Sequence, residues 1–490
     1  MTNAPTDRPL EQLLWYDEEI FYQQSEKSAA VLLALKSVFQ RANWSDEATA
    51  EFLDLLDKVT DFDSAAFTRV WQQPFSHVWI RRAYYLAQAS IAGVECDPSV
   101  VAYCRRIGHD TPPAALAFHL EQFKAIVLGV AAVAKTNIRF ARPLRAELPF
   151  AVPGTPFSIS GERFVHLWGV ENGCLLLEAP ELCGRLRLEP DACVADYLVH
   201  QCAQVTVDDY TVLLSADAFR ITAFDDCAPV LEAGNEFQRQ HVRLAGDTFR
   251  CIQRFDPESF RQFSNAIVAI AFKPEESGTY QNISHSEMPG AFFCVPINNA
   301  LALGDKFIHE LHHNRLFAIE GKQGEFFHAW QLDPSHAPRY YSPWRDDLRP
   351  LHGLIHAVYV HVPVLRYWRA VYQADDLREV DRPFVVCQLL TTAERLRLGI
   401  GVLSRYAEFT NFGRELFDQL QHDVGDVRRR VADLDLNEES PALEVCEDGS
   451  YRPAKADGRA LDCREIILEH LRRFDKENHA EGLTDTALHL

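Results

Sequence analysis

The chain has 490 residues and a formal charge of −21, from 49 lysines and arginines against 70 aspartates and glutamates. This length exceeds what one hydrophobic core usually supports and predicts two or three structural units. The acidic surplus argues against broad binding to the backbone of a nucleic acid or to anionic lipid.

The first part of the chain is predicted to be helical. Between residues 10 and 141, apolar side chains recur at three- and four-residue spacing, as in segments 28–41, 45–59 and 114–134. The longest apolar run, at 125–134, is too short to cross a bilayer and predicts a buried helix. The N-terminus lacks the pattern of a secretory signal, which favours a cytoplasmic protein without a membrane segment.

From residue 142 to residue 234 the pattern changes to that of strands. Short runs rich in Val, Phe, Leu and Tyr alternate with turn residues. Glu171-Asn172-Gly173 separates two such runs and predicts a hairpin turn, because Asn-Gly accepts positive φ at low cost. We interpret this stretch as a β-rich region and as a candidate surface for binding a peptide.

Beyond residue 234 helical periodicity returns, at 238–255, 257–271 and 393–424, with a strand-like run at 291–296. We therefore expect an α+β fold. It comprises a helical lobe at 1–141, the β-rich region at 142–234, a mainly helical metal-site domain at 235–436, and a C-terminal loop, helix and tail at 437–490. No glycine-rich dinucleotide or P-loop motif occurs in the sequence.

The metal-site assignment comes from the sequence HELHH at residues 309–313, which matches His-Glu-x-x-His. On a helix predicted over 300–320, with Gly321 as its C-cap, His309 and His313 share one face and Glu310 lies beside them. Burying these polar side chains in an apolar helix is costly unless they are paired or liganded, which favours a metal site. His309 with His312 is a second possible pair, and the usual four-residue spacing favours His313.

A third ligand has to come from elsewhere, because the motif lacks the metzincin continuation. The downstream candidates are Glu320, Glu325, His328, Asp333, His336, His352, His356 and His361. A ligand such as Glu325 would indicate a zinc peptidase in which Glu310 is the general base. Two histidines with one carboxylate are instead the general pattern of iron oxygenases.

A second pattern, SPWRDDLRPLHGLIH, occupies residues 342–356. Pro350 suits the first turn of a helix that would place His352 and His356 on one face. Arg345 and Arg349 precede this helix, and a guanidinium group can hold a carboxylate through two hydrogen bonds. Ion pairs with neighbouring aspartates are the structural alternative for both arginines.

Residues 290–293 (GAFF), 307–313 (FIHELHH) and the 342–356 block together resemble the HExxH-motif proteins encoded with ribosomally synthesised, post-translationally modified peptides. The resemblance extends over about 238–420, and the block is its most specific part. It implies an iron(II)- and 2-oxoglutarate-dependent oxygenase that hydroxylates a β-carbon of a precursor peptide. By this resemblance His309, His313 and His356 would hold the iron, and Arg345 or Arg349 would anchor 2-oxoglutarate.

Three functions compete at this stage. The first is the peptide hydroxylase, in which Glu310 would hydrogen-bond a ligand or an iron-bound group. The second is a zinc-dependent peptidase, in which Glu310 would deprotonate a metal-bound water. The third is a non-catalytic scaffold that binds a peptide through the β-rich region. A contact of His356 with the His309/His313 pair and a nearby arginine favour the hydroxylase, whereas a contact of Glu325 favours the peptidase.

Overall fold

The computed structural model describes residues 10–453, except for residues 18, 43, 45, 93–97, 107, 148–149, 156, 161–163, 173, 179–185, 189–192, 195–196, 202, 215–234, 274–281, 333–336, 346, 433–442 and 446–450. Helices and strands both contribute, which confirms the α+β class.

The N-terminal part of the described chain is helical, as expected. Its helices are α1 (Leu10–Trp15), α2 (Glu19–Ala42), α3 (Glu47–Thr60), α4 (Ser64–Trp71), α5 (Pro74–Ala92), α6 (Pro98–Arg106), α7 (Pro112–Glu121) and α8 (Phe123–Ala134). Asp46 and Asp63 cap α3 and α4 by accepting backbone N–H groups. The stretch Pro112–Ala134 covers α7 and α8 and is long and apolar enough to cross a membrane. Of its most apolar 18 residues, 67% are buried inside the protein.

The next part of the chain is rich in strands. These are β1 (Ile138–Glu147), β2 (Phe150–Ala151), β3 (Phe157–Ser160), β4 (Phe164–Glu171), β5 (Cys174–Glu178), β6 (Leu186–Leu188), β7 (Cys193–Val194), β8 (Tyr197–Gln201), β9 (Gln204–Val207) and β10 (Tyr210–Leu214). They build antiparallel sheets of order β1-β4-β5-β6 and β2-β3-β8-β7. The predicted hairpin is confirmed, since Glu171 pairs with Cys174 and Asn172 has a φ of 51°.

The last part is mainly helical. It contains α9 (Asn235–Phe255), α10 (Pro257–Ala266), β11 (Ala269–Phe272), β12 (Ala291–Cys294), α11 (Ala300–Gln323), α12 (Ala329–Leu332), α13 (Leu351–Tyr372), α14 (Arg382–Tyr406), α15 (Asn411–Ala432), β13 (Leu443–Val445) and β14 (Tyr451–Pro453). Strands β9 and β10 join β11 and β12 in one sheet, so the β-rich stretch runs into the metal-site part.

Several sequence-based boundaries are wrong. The helix predicted to reach residue 271 ends at Ala266, because the apolar run that follows is the fully buried strand β11. The predicted C-cap Gly321 lies inside α11, and the positive φ of 92° belongs to Gly324 after the helix end. The expected C-terminal loop contains the β13–β14 hairpin. The helix and tail expected beyond it lie outside the described residues.

Helix α11, which carries the His-Glu motif, is held by α1 as well as by its neighbours α9 and α13. Arg315 is 0% exposed. It donates to the carbonyl oxygens of Leu13 and Leu14, each at 2.6 Å, and to the side-chain oxygen of Gln262 at 3.2 Å. The ring of Trp15 stacks on Tyr359 of α13 with centroids 4.7 Å apart. Helix α1 and the start of α2, at Ile20, therefore pack in the core around the motif, whereas the rest of α2 and helices α3 to α8 pack mainly on a second core with β1 to β5.

Candidate metal centre

His309 and His313 converge on one face of α11, as their four-residue spacing predicts. Their Nε2 atoms lie 3.1 Å apart, and the rings meet edge to face with centroids 4.7 Å apart. Two nitrogens bound to one metal at about 2.0 to 2.1 Å would lie about 3.3 Å apart in tetrahedral geometry. Burial, followed by neighbouring imidazoles, holds the pKa of both histidines well below the usual value. Both are therefore neutral near pH 7, and each ring has one nitrogen with a lone pair that can bind a metal.

Glu310 lies beside this pair. Its Oε1 atom is 3.9 Å from Nε2 of His309, and its Oε2 atom accepts a hydrogen bond of 2.6 Å from the hydroxyl of Ser284. The Glu310 side chain is 1% exposed. Burial raises its pKa to about 8, although Ser284 and the cation of Lys306 act in the opposite direction. Glu310 can therefore gain or lose a proton near neutral pH.

His356 contacts His313, but through the ring nitrogen that does not face His309. The Nδ1 atoms of His356 and His313 are 3.4 Å apart, and Nε2 of His356 is 3.2 Å from Oε2 of Glu320. The other oxygen of Glu320 lies 2.6 Å from Nε2 of His352. Burial raises the pKa of Glu320. Hydrogen bonds from His352 and His356 lower it by more than burial raises it, so the pKa is about 2. The ligand atoms of Glu320, His352 and His356 all lie within 4.8 Å of one another.

His361 is a second imidazole beside the pair. Its ring lies edge to face with that of His309, with centroids 4.8 Å apart. Its Nδ1 atom donates a hydrogen bond of 2.7 Å to the carbonyl oxygen of Ala357. That bond places the proton on Nδ1 and leaves the lone pair on Nε2, the arrangement typical of a metal-binding histidine. Burial lowers the pKa of His361 to about 4.

Trp344 connects the 342–356 block to these histidines. Its ring stacks on His361 with centroids 4.8 Å apart and planes inclined by 26°. Its far edge fits against Gly399 of α14, where an added Cβ would come within 2.9 Å of Cη2 of Trp344 and 2.8 Å of Val358. The indole Nε1 atom is buried and has no hydrogen-bond partner among the described residues. Buried donors are normally hydrogen-bonded, so this N–H group could donate to a bound ligand.

Arg395 is a cation on α14, the helix that Trp344 contacts. It lies four residues before Gly399, on the same face of α14. It is half-buried, and within the described part of the chain it makes no hydrogen bond or ion pair. Its charge acts on His361, where it reinforces the lowering of the pKa that burial causes.

Arg345 and Arg349 both lie within ion-pair distance of Asp347, and the buried Nε atom of Arg349 has no hydrogen bond of good geometry to a described residue. Nε of Arg345 lies 3.4 Å from Asp347 and Nε of Arg349 lies 3.1 Å from the same carboxylate. Their side chains are 44% and 32% exposed. Both arginines are therefore in ion pairs with a neighbouring aspartate, which is the alternative to binding a carboxylate ligand. Neither arginine contacts a histidine of the motif within the residues that the structure describes.

The remaining candidate ligands are less close to the pair. Glu325 and His328 are exposed, and their contacts run through their backbone to Thr410 and Glu408. Asp333, His336 and the neighbouring Asp346 lie outside the described residues. His312 points away from His313 and packs edge to face against Trp15 and Tyr359, with neither ring nitrogen hydrogen-bonded to a described residue. The His309/His312 pairing is therefore not the one that the fold brings together.

Three contributors to the site had no signal in the sequence pattern: Ser284, Gly399 and Arg395. Ser284 lies in a loop and contacts Glu310, whereas Gly399 and Arg395 both lie on α14, so only tertiary packing reveals their positions. No protein-family model matches the chain, and no curated protein matches it either.

Proposed function

We propose that this protein is a metal-dependent enzyme with iron(II) at His309 and His313, and that it uses 2-oxoglutarate to hydroxylate a β-carbon in a ribosomally made precursor peptide. The observation that carries the metal is the 3.1 Å separation of the two Nε2 atoms. Two neutral, partly buried imidazoles with this separation of their Nε2 atoms could bind one metal ion. When bound, iron(II) with 2-oxoglutarate and dioxygen supplies an oxidant strong enough for an unactivated carbon.

The third ligand was expected to be His356, and the contacts favour His361. His356 reaches only the Nδ1 edge of His313, whereas His361 faces His309 and keeps Nε2 free. A set of three histidines departs from the usual two histidines and one carboxylate. Glu320, the nearby carboxylate, is bonded to His352 and His356 instead.

We infer that a carboxylate cosubstrate binds near Trp344, whose ring stacks on His361, and near Arg395, whose charge acts on His361. Both offer only donors, and neither has a hydrogen-bond acceptor among the described residues. A guanidinium group matches a carboxylate in charge and shape. We therefore assign the anchoring of 2-oxoglutarate to Arg395, in place of the Arg345 or Arg349 that the resemblance implies.

The second candidate is a zinc peptidase, and Glu310 favours it. A buried carboxylate with a pKa of about 8, held 3.9 Å from a ligand nitrogen, suits a general base for a metal-bound water. The exposed position of Glu325 does not supply the carboxylate ligand that this class would need.

Anaerobic titration of the iron(II)-loaded protein with 2-oxoglutarate separates these two functions. The hydroxylase requires a visible absorption band that saturates at one equivalent and disappears in His313→Ala. Hydrolysis of peptides by the zinc-loaded protein, lost in Glu310→Gln with zinc still bound, together with no band, would establish the peptidase instead.

A further inference from the structure

A continuous chain of hydrogen-bonding groups leads away from the candidate metal pair. His313 faces His309 with Nε2 at 3.1 Å, and its Nδ1 lies 3.4 Å from Nδ1 of His356. Nε2 of His356 lies 3.2 Å from one oxygen of Glu320, whose other oxygen lies 2.6 Å from Nε2 of His352. Each ring nitrogen of His356 thus faces a different partner.

The proton positions along this chain follow from the ends. A metal bound at Nε2 of His313 takes that lone pair, so the proton of the neutral ring is on Nδ1 and is donated to Nδ1 of His356. Nδ1 of His356 is then an acceptor, so its own proton is on Nε2 and is donated to Glu320. An ionised carboxylate such as Glu320 only accepts hydrogen bonds, so every hydrogen bond in the chain has one donor and one acceptor.

We propose that His356 and Glu320 are positioning residues that fix the tautomer and orientation of His313 as a metal ligand. Glu320 is 16% exposed and His356 is 6% exposed in their side chains, so water competes weakly for these bonds. A carboxylate behind a ligand histidine raises the basicity of the imidazole and holds the ring in place. This inference rests on the metal site of the proposed function, but not on iron, 2-oxoglutarate or a peptide.

The same three side chains, Glu320, His352 and His356, are close enough together to hold an ion of their own. Two contacts argue for the hydrogen-bonded chain. Glu320 directs a separate oxygen to each imidazole, and His356 uses its second nitrogen on His313. In an ion site the three ligand atoms would instead point to one centre about 2 Å from each of them. The number of ions bound distinguishes the two arrangements.

Cobalt(II) is the probe that tests this inference, because it binds histidine sites and reports them by its spectrum. Its affinity is measured by chelator competition for the full chain and for Glu320→Leu, His356→Leu and the control His352→Gln. We expect one equivalent of cobalt in all four proteins, and binding about 10- to 100-fold weaker in the first two variants. His352→Gln, at the exposed end of the chain, stays within about 3-fold of wild type.

A second readout excludes a general loss of structure. In the NMR spectrum of the cobalt-loaded protein, exchangeable, paramagnetically shifted N–H signals report the Nδ1 protons of ligand histidines. One of these signals should be lost to solvent exchange in His356→Leu. The far-ultraviolet circular dichroism of this variant should be unchanged. Unchanged affinity and signals in both variants would overturn the inference. Complete loss of cobalt binding in His356→Leu would also overturn it, because His356 would then be a ligand. So would a second equivalent of cobalt that binds to wild type and is lost in Glu320→Leu, because these side chains would then hold an ion of their own. Failure of wild type to bind cobalt would overturn the metal site as well, whereas normal cobalt binding without 2-oxoglutarate turnover would overturn only the oxygenase.

Discussion

The Nε2 atom of His313 lies 3.1 Å from that of His309, while the adjacent His312 is on a different face of the helix, against Trp15. Neighbouring histidines on one helix therefore have different environments. The difference follows from the helical repeat, since His309 and His313 are one turn apart and His312 is rotated away by about 100°. It provides a matched pair of variants for testing the metal site.

We predict that His313→Ala binds less than a tenth of an equivalent of iron or zinc, because a ligand is removed. His312→Leu should bind one full equivalent, and its unfolding temperature should not fall, because its ring has no hydrogen-bond partner in the described structure and contacts aromatic side chains. Metal analysis after dialysis measures both. Loss of metal in His312→Leu with retention in His313→Ala would move the ligand pair to His309 and His312.

A second prediction concerns Glu310 and the stability of the metal-free protein. Its pKa rises from 4.5 to about 8 on folding, so the native state binds more protons than the unfolded state between these values. Stability should therefore fall as the pH rises from about 4.5 to 8 and level off above that range. Glu310→Gln removes this ionisation and should stabilise the metal-free protein by about 1 to 3 kcal/mol at pH 7.5.

Urea denaturation across this pH range measures the Glu310 effect. The difference between wild type and Glu310→Gln should be smallest near pH 4.5 and grow towards pH 8. A difference that does not change with pH would show that Glu310 ionises normally in the folded protein.

A third prediction concerns the arginine proposed to bind 2-oxoglutarate. Arg395→Met should weaken 2-oxoglutarate binding about 10- to 100-fold, because a charge-assisted hydrogen bond contributes about 1.5 to 3 kcal/mol. Arg345→Met and Arg349→Met are controls, since both side chains are partly exposed and bind Asp347. Calorimetric titration of the metal-loaded protein with 2-oxoglutarate measures the affinity. If either control variant lost binding and Arg395→Met did not, the assignment of 2-oxoglutarate binding to Arg395 would be wrong.

A fourth prediction concerns the attachment of α1 to the motif helix. Arg315→Met should destabilise the protein by about 2 to 4 kcal/mol, because it leaves the carbonyl oxygen of Leu13 buried without its donor and leaves that of Leu14 with the Tyr359 hydroxyl alone. Arg250→Met, which removes an exposed ion pair with Asp247, should change stability by less than about 1 kcal/mol. Equal effects in the two variants on the free energy of unfolding would show that the Arg315 contacts contribute little.

Local spacing predicted much of the fold and the metal pair. The position of His313 relative to His309 depends only on the helical repeat, and the Asn172 hairpin depends only on turn chemistry. The third ligand and the cosubstrate arginine depend on long-range packing, which local spacing does not predict. The sequence of α13 places His352, His356 and His361 on one helix, but which of them faces the motif depends on how α13 crosses α11.

The arginines illustrate the same limit. Arg345 and Arg349 are close to the motif in the 342–356 block, and the fold pairs both with Asp347. Trp344 approaches α14 closely because Gly399 has no side chain, and no sequence pattern distinguishes Gly399 or Arg395 on that helix. A contact that depends on the absence of a side chain is not visible in hydrophobic periodicity.

Uncoupled turnover tests the central claim most directly, because it needs no peptide. The protein is freed of metal, loaded with iron(II) or with zinc, and supplied with 2-oxoglutarate and oxygen, and succinate is measured over time. The account predicts succinate from the iron-loaded wild type, at most a few per cent of that amount from His313→Ala, and none from the zinc-loaded protein. Equal background succinate from all three samples, with iron shown to be bound in the wild type, would contradict it.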